Sequence, residues 1–120
     1  MISPSSTNPR VTDIGDMIFR VCYIDPFQGY VCAKFARGEP LKAQKMATLF
    51  NRSQIYSTGL NDTFKKHFTE MGGTITTEQA YSDGDTDFSA QLSNIRETQP
   101  DVIFIPGYYI EVVNIAVQAR

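Results

Sequence analysis

The chain has 120 residues, 42% of them hydrophobic and 20% charged, and a formal net charge of −2. That length supports one modest core, and the near-neutral charge gives no electrostatic reason for a nucleic-acid or anionic-membrane partner. The longest apolar run, Val102-Ile103-Phe104-Ile105, is strand-sized and not bilayer-spanning, and Met1 to Pro9 lacks the basic and apolar stretches of a signal peptide.

In chain order, Ile18 to Ile24 predicts a first strand. Phe27, Val31 and Phe35 at i, i+4 and i+8 predict the apolar face of a helix after it. Asp25 is the expected N-cap, with Pro26 at the first helical position and Gln28 completing a capping-box pattern. Met46 to Phe50 predicts a second strand. Leu60, Phe64, Phe68 and Met71 then mark a helix stopped by Gly72-Gly73. A weaker strand, Thr74 to Gln79, leads to a helix bearing Phe88, Leu92 and Ile95, with Thr86 or Asp87 as cap. Val102 to Ile105 is the fourth strand, followed by a helix with Ile110, Val113 and Val117 on its apolar face.

Strand and helix alternating four times predict an α/β fold, a parallel sheet with helices on both faces, flavodoxin-like in pattern. The fold reads as incomplete. The last helix reaches Arg120 without a C-cap, and the first sixteen residues are polar, turn-rich and attached to nothing, as in an excerpt from a larger protein. Cys22 and Cys32 read as buried free thiols in preference to a disulfide.

In open parallel sheets, ligands bind beyond the carboxyl ends of the strands. Three of the four loops expected there carry aromatics, and two place a tyrosine, Tyr56 and Tyr108, just before a helix N-terminus. A tyrosine joins a flat apolar face to a hydroxyl, so both are pocket candidates, against the plainer reading of loop packing. Asp83-Gly84-Asp85-Thr86-Asp87 has the spacing of a calcium loop's start, but Phe88 stands where that loop needs glycine and Asn94 where it needs glutamate. A helix-capping turn is the reading taken. No nucleophile elbow, phosphate-binding glycine pattern or Cys–His pairing is present, so no enzyme activity, cofactor or metal is expected. A flavodoxin-like nucleotide site is the weaker alternative, because these loops lack the necessary glycine and hydroxyl density.

The stretches "ISPSSTNP", "FRVCYIDPFQG", "YSTGLNDTFKKHFTEMGG", "YSDGDTDFSAQLSNI" and "PDVIFIPGYYIE" resemble, in this order, the middle of type I periplasmic binding proteins. The likeness is to the branched-chain amino-acid receptors of ABC importers and covers essentially the whole chain. It implies a two-lobed receptor that closes on its ligand. Residues 1–24 would end the first lobe and make the first crossing; residues 25–120 would form part of the second. It implies that Ser5 and Thr7 hold the ligand's ammonium and carboxylate, Ser5 through its backbone carbonyl and Thr7 through its hydroxyl and N–H. Ser6 lies between them, and Tyr56 and Tyr108 would close over the ligand. The family's acidic ammonium partner would lie beyond Arg120. The resemblance further implies an amino-acid ligand, a membrane permease as partner of the intact receptor, and a periplasmic or lipoprotein-anchored extracellular location. A different reading is a self-associating α/β module, a homodimer formed through an unpaired sheet edge.

Overall fold

The computed structural model describes residues 1–120. Two separate parallel sheets are present. The smaller pairs β1 (Ile2–Ser3) with β2 (Phe19–Arg20). The larger has the order β4-β3-β5, with β3 (Lys45–Asn51) between β4 (Thr74–Tyr81) and β5 (Val102–Phe104). Helices α1 (Asp25–Arg37), α2 (Ile55–Glu70), α3 (Ser89–Glu97) and α4 (Tyr109–Gln118) complete the chain.

The α/β class with helices on both faces is as the pattern predicts, but the first apolar run is not a strand of the main sheet. Only Phe19 and Arg20 of that run pair, and they pair with the N-terminal arm. That arm is consequently anchored. The Arg20 guanidinium donates to the carbonyls of Ser6, Asn8 and Pro9 and to the Thr12 hydroxyl at 2.7–2.9 Å, and Pro9–Asp13 forms a 3-10 turn. A side chain with five fixed donors collects carbonyls that no sheet would satisfy.

β3 is buried on both faces, and its alternation divides the core in two. Met46 faces Ala33 and Ala36 of α1 and Phe64 and Phe68 of α2. Ala47 and Leu49 face Tyr81, Phe88, Ile95 and Ile115 on the α3 and α4 side. The stripes expected on α2 and α3 are therefore the buried ones.

The stripes expected on α1 and α4 are not. Phe27, Val31 and Phe35 are exposed, and α1 packs instead through Gly29, Ala33 and Ala36. A Cβ on Gly29 would stand 2.7 Å from Thr63 Cγ2 and 2.9 Å from the Phe64 backbone nitrogen, so this contact is backbone against backbone. On α4, Ile115 is buried while Ile110, Val113 and Val117 are exposed.

Helix ends also differ in detail. Residue 24 is the N-cap of α1, and the Asp25 carboxylate makes no capping bond. Asp87 accepts from the Ser89 N–H at 3.0 Å and from its hydroxyl, which starts α3. Gly72, at φ +81, ends α2 in the left-handed region, as its position predicts. Asp101 accepts from the Gln44 and Lys45 N–H groups at 2.8 Å each, and those bonds hold its carboxyl below the usual range. Both thiols are free but half-buried, where buried ones were expected, because Cys22 lies in the bent segment after β2 and its thiol donates to the Ser6 carbonyl at 3.6 Å.

Candidate ligand-binding site

The N-terminal arm and the carboxyl end of the main sheet meet through one backbone bond, from the Asp25 N–H to the Thr7 carbonyl at 3.0 Å. Around that junction lies a cleft of about 570 Å³ lined by Ser5, Ser6, Thr7, Asn8, Val11, Tyr23, Asp25, Ile55, Tyr56 and Tyr108. All five site residues expected from the sequence border this one cavity. A larger groove, about 930 Å³, lies between α3 and the end of α4 at the opposite end of β5. Its polar lining residues are exposed, so it offers no desolvated polar group to a ligand.

On the arm, the turn from Ser3 to Ser6 is closed by its own hydroxyls. Ser3 Oγ donates to Ser6 Oγ at 2.6 Å and accepts the Ser6 N–H at 3.1 Å. The Ser6 carbonyl already accepts from Arg20 and Cys22. Ser5 and the N–H and hydroxyl of Thr7 make no hydrogen bond within the chain, leaving donors and acceptors free at the cleft wall.

On the opposite wall, the Tyr56 and Tyr108 rings stack at 5.6 Å with 28° between their planes, an offset arrangement that aromatic quadrupoles favour. Tyr56 is the second residue of α2 and not, as expected, the residue before it. Tyr108 is the N-cap of α4. The Gln28 amide donates to the Tyr56 hydroxyl at 3.1 Å. Burial raises the Tyr56 phenol pKa, against the opposing effect of that bond, so the hydroxyl stays protonated and able to donate. Tyr109 is 78% exposed and borders no part of the cleft.

Sequence reasoning did not single out Asn8, Val11, Tyr23, Asp25 or Ile55 as site residues, and of these Asp25 is the one with a buried, unpartnered polar atom. It is 4% exposed, and its Oδ1 is buried without a hydrogen-bond partner. An Asp at a strand-to-helix boundary reads as a cap, which hides any other role. Pro26 gives no counter-signal, because proline at the first helical position suits a capped helix equally well. A buried carboxylate oxygen with no donor is costly unless a cation or hydrogen-bond donor completes it. The first turn of α1 partly offsets that cost by favouring negative charge.

A cleft at the carboxyl end of a parallel sheet, walled by a hydroxyl-bearing arm on one side and stacked tyrosines on the other, defines a binding protein of the α/β class. The sequence comparisons give the family: residues 1–120 match the family described as periplasmic binding protein, and the chain belongs to it. A leucine-, isoleucine-, valine-, threonine- and alanine-binding protein of Pseudomonas aeruginosa is 31% identical over 100% of this chain and 32% of its own length. A leucine-specific-binding protein of Salmonella typhimurium shows the same identity and coverage. Among solved structures, a leucine-binding protein from Thermotoga maritima matches at TM-score 0.94 and 45% identity, over 100% of this chain and 34% of its own. A branched-chain amino-acid transporter substrate-binding protein from Streptococcus pneumoniae, in complex with isoleucine, matches at 0.89 and 33%, over 99% and 33%. The chain thus spans about a third of the length of the curated relatives it matches.

Proposed function

We propose that this chain supplies part of a binding site for an α-amino acid with an aliphatic side chain, in a receptor that feeds an ABC importer. The observation that carries this reading is the buried, unpartnered Asp25 Oδ1 in the same cleft as the free polar groups of Ser5 and Thr7. Asp25 and the Ser5 carbonyl receive the ammonium group; the Thr7 N–H and hydroxyl receive the carboxylate. Ser6 braces the turn between them. Tyr56 and Tyr108 cover the aliphatic part with their faces. Binding is the whole of the activity, with no bond made or broken.

Residues 1–24 then belong to the first lobe and the crossing, and residues 25–120 to the second lobe. The hydrogen-bond separation of the two sheets supports that division. The receptor works outside the cytoplasmic membrane, in the periplasm or on a lipid anchor, and delivers its ligand to a permease. The relatives' names support the periplasmic placement and the transport role.

Each charge-assisted hydrogen bond contributes about 1.5–3 kcal/mol net, whereas micromolar affinity requires about 8 kcal/mol. Binding by this chain alone is therefore expected at about 1 mM or weaker. The test is an NMR titration of the labelled chain with L-leucine, 4-methylpentanoate and 3-methylbutylamine. Leucine should shift the signals of Thr7, Asp25, Tyr56 and Tyr108 at lower concentration than either analogue. Equal response to all three, or shifts elsewhere, would overturn the reading.

A second reading is favoured by one observation. β5 has an open edge, and α4, which follows it in the chain, exposes Ile110, Val113 and Val117. On this reading the chain self-associates through that edge into a homodimer.

A further inference from the structure

Tyr56 and Tyr108 come from different elements, yet their rings stack as one wall. One hydrogen bond joins α2 to the β5–α4 connection: the Ser57 hydroxyl donates to the Pro106 carbonyl. The same oxygen accepts the Asn51 N–H at 2.8 Å. A backbone N–H can only donate and a carbonyl can only accept, so the orientation of this hydroxyl is fixed by its partners. Ser57 is fully buried and Pro106 is buried, so neither bond is exchanged with solvent.

One side chain therefore ties the end of β3, the first turn of α2 and the loop after β5. Its sequence neighbour is Tyr56, and Pro106 lies two residues before Tyr108. The loop is also seated from below: a Cβ on Gly107 would stand 2.7 Å from the Tyr81 hydroxyl. The connection cannot lift or slide without losing both supports.

We infer that Ser57 is a positioning residue, which fixes the spacing of the tyrosine pair and so preforms the cleft wall before a ligand arrives. It does not line the cleft. The inference rests on the amino-acid reading only for the consequence of that positioning: a wall ordered in advance spares the ligand the cost of immobilising two aromatic side chains.

The experiment compares the full chain with Ser57→Ala and Ser57→Thr, reading ring-to-ring NOEs between Tyr56 and Tyr108 and the leucine affinity. Tyr109 serves as the internal aromatic control. Ser57→Ala should lose the ring-to-ring NOEs and weaken leucine binding at least about five-fold, the lower bound for ordering two aromatic side chains. Ser57→Thr keeps the hydroxyl and should stay within about two-fold of the parent. A purely structural serine would lower the melting temperature of Ser57→Ala and leave the NOEs and the affinity of its folded fraction unchanged; that result overturns the inference. If Ser57→Ala does not fold, the parent chain decides. Its Pro106 carbonyl carbon should show an H/D isotope shift from the Ser57 hydroxyl, and a missing shift overturns the proposal. If leucine binds no variant, the amino-acid reading fails while the NOEs still decide the positioning role.

Discussion

Asp25 shows how a single side chain sets stability against binding. Its carboxylate is nearly inaccessible to water, and one oxygen lacks any donor. Such a group weakens the empty fold and gains most from an arriving cation. Asp25→Asn should therefore raise the melting temperature of the empty chain or leave it unchanged. It should also weaken leucine binding by at least ten-fold, the equivalent of about 1.4 kcal/mol. Thermal melts with and without leucine measure both signs, and a variant that loses stability and binding together would show Asp25 to be a structural support only. Tyr81 presents a related case. Its hydroxyl is buried without a partner. Burial first, then the carboxylates of Glu111 and Asp83, push its phenol from 10.0 up to about 12. The unfolded chain releases this proton near 10.0 and the folded chain near 12, so unfolding couples to proton release above the lower value. Stability from this group is complete below pH 10.0 and is lost as pH rises toward about 12. Tyr81→Phe should match the parent at pH 7 within about 1 kcal/mol and lose this component of the alkaline decline. Denaturant melts at pH 7 and across the alkaline range measure it.

Among the elements, α1 and α2 share the same face of the sheet but differ in how plainly their packing was written. α2 carries Leu60, Phe64 and Phe68, a single apolar stripe, and that stripe is buried. α1 carries two faces, one with large apolar residues and one with Gly29, Ala33 and Ala36, and the small face is the packed one. Periodicity finds a face but does not say which neighbour covers it, and close helix approach favours the residues with least side chain. For the same reason Ile110, Val113 and Val117 pointed to the wrong side of α4. The first apolar run failed differently: strand propensity was present over Ile18 to Ile24, but its only pairing partner is the two-residue β1. The tyrosines at the cleft were legible because strand ends in a parallel sheet converge there. Asp25 and Ser57 were not, because burial and a partner distant in the chain define them. Gly29→Ala tests the α1–α2 contact. Alanine favours a helix interior by about 1 kcal/mol, yet its Cβ meets Thr63 and the Phe64 backbone under 3.0 Å. Overpacking of this kind costs about 1–3 kcal/mol, so the net change should be destabilising. Adding Thr63→Ser removes the methyl but leaves the backbone clash, and so should recover only part of the loss in urea melts.

At the scale of the whole molecule, apolar residues in contact with water lie along the N-terminal arm, among them Met1, Ile14, Met17 and Val21, and in spaced sets on two helices. Phe27, Val31 and Phe35 lie along α1; Ile110, Val113 and Val117 lie along α4, the helix that follows the edge strand β5. Scattered exposed apolar residues are ordinary on protein surfaces, whereas contiguous apolar patches mark interaction surfaces. The two sets differ in what a second copy gains by covering them. α1 offers side chains alone, whereas α4 directly follows β5, an edge strand whose outer N–H and C=O groups are unpaired, so a copy that meets both buries apolar surface and completes backbone bonds. On the self-association reading, contact should therefore form through the α4 and β5 side. Light scattering across a concentration series should show mass rising with concentration for the parent chain. Val113→Lys with Val117→Lys should suppress that rise, because two ammonium groups on the contact face repel their counterparts and resist desolvation. Phe27→Lys with Phe35→Lys should leave it in place. If the α1 pair suppresses association and the α4 pair does not, the sheet edge is not the contact. A monomer at every concentration would remove the self-association reading altogether, leaving the cleft as the surface through which this chain acts.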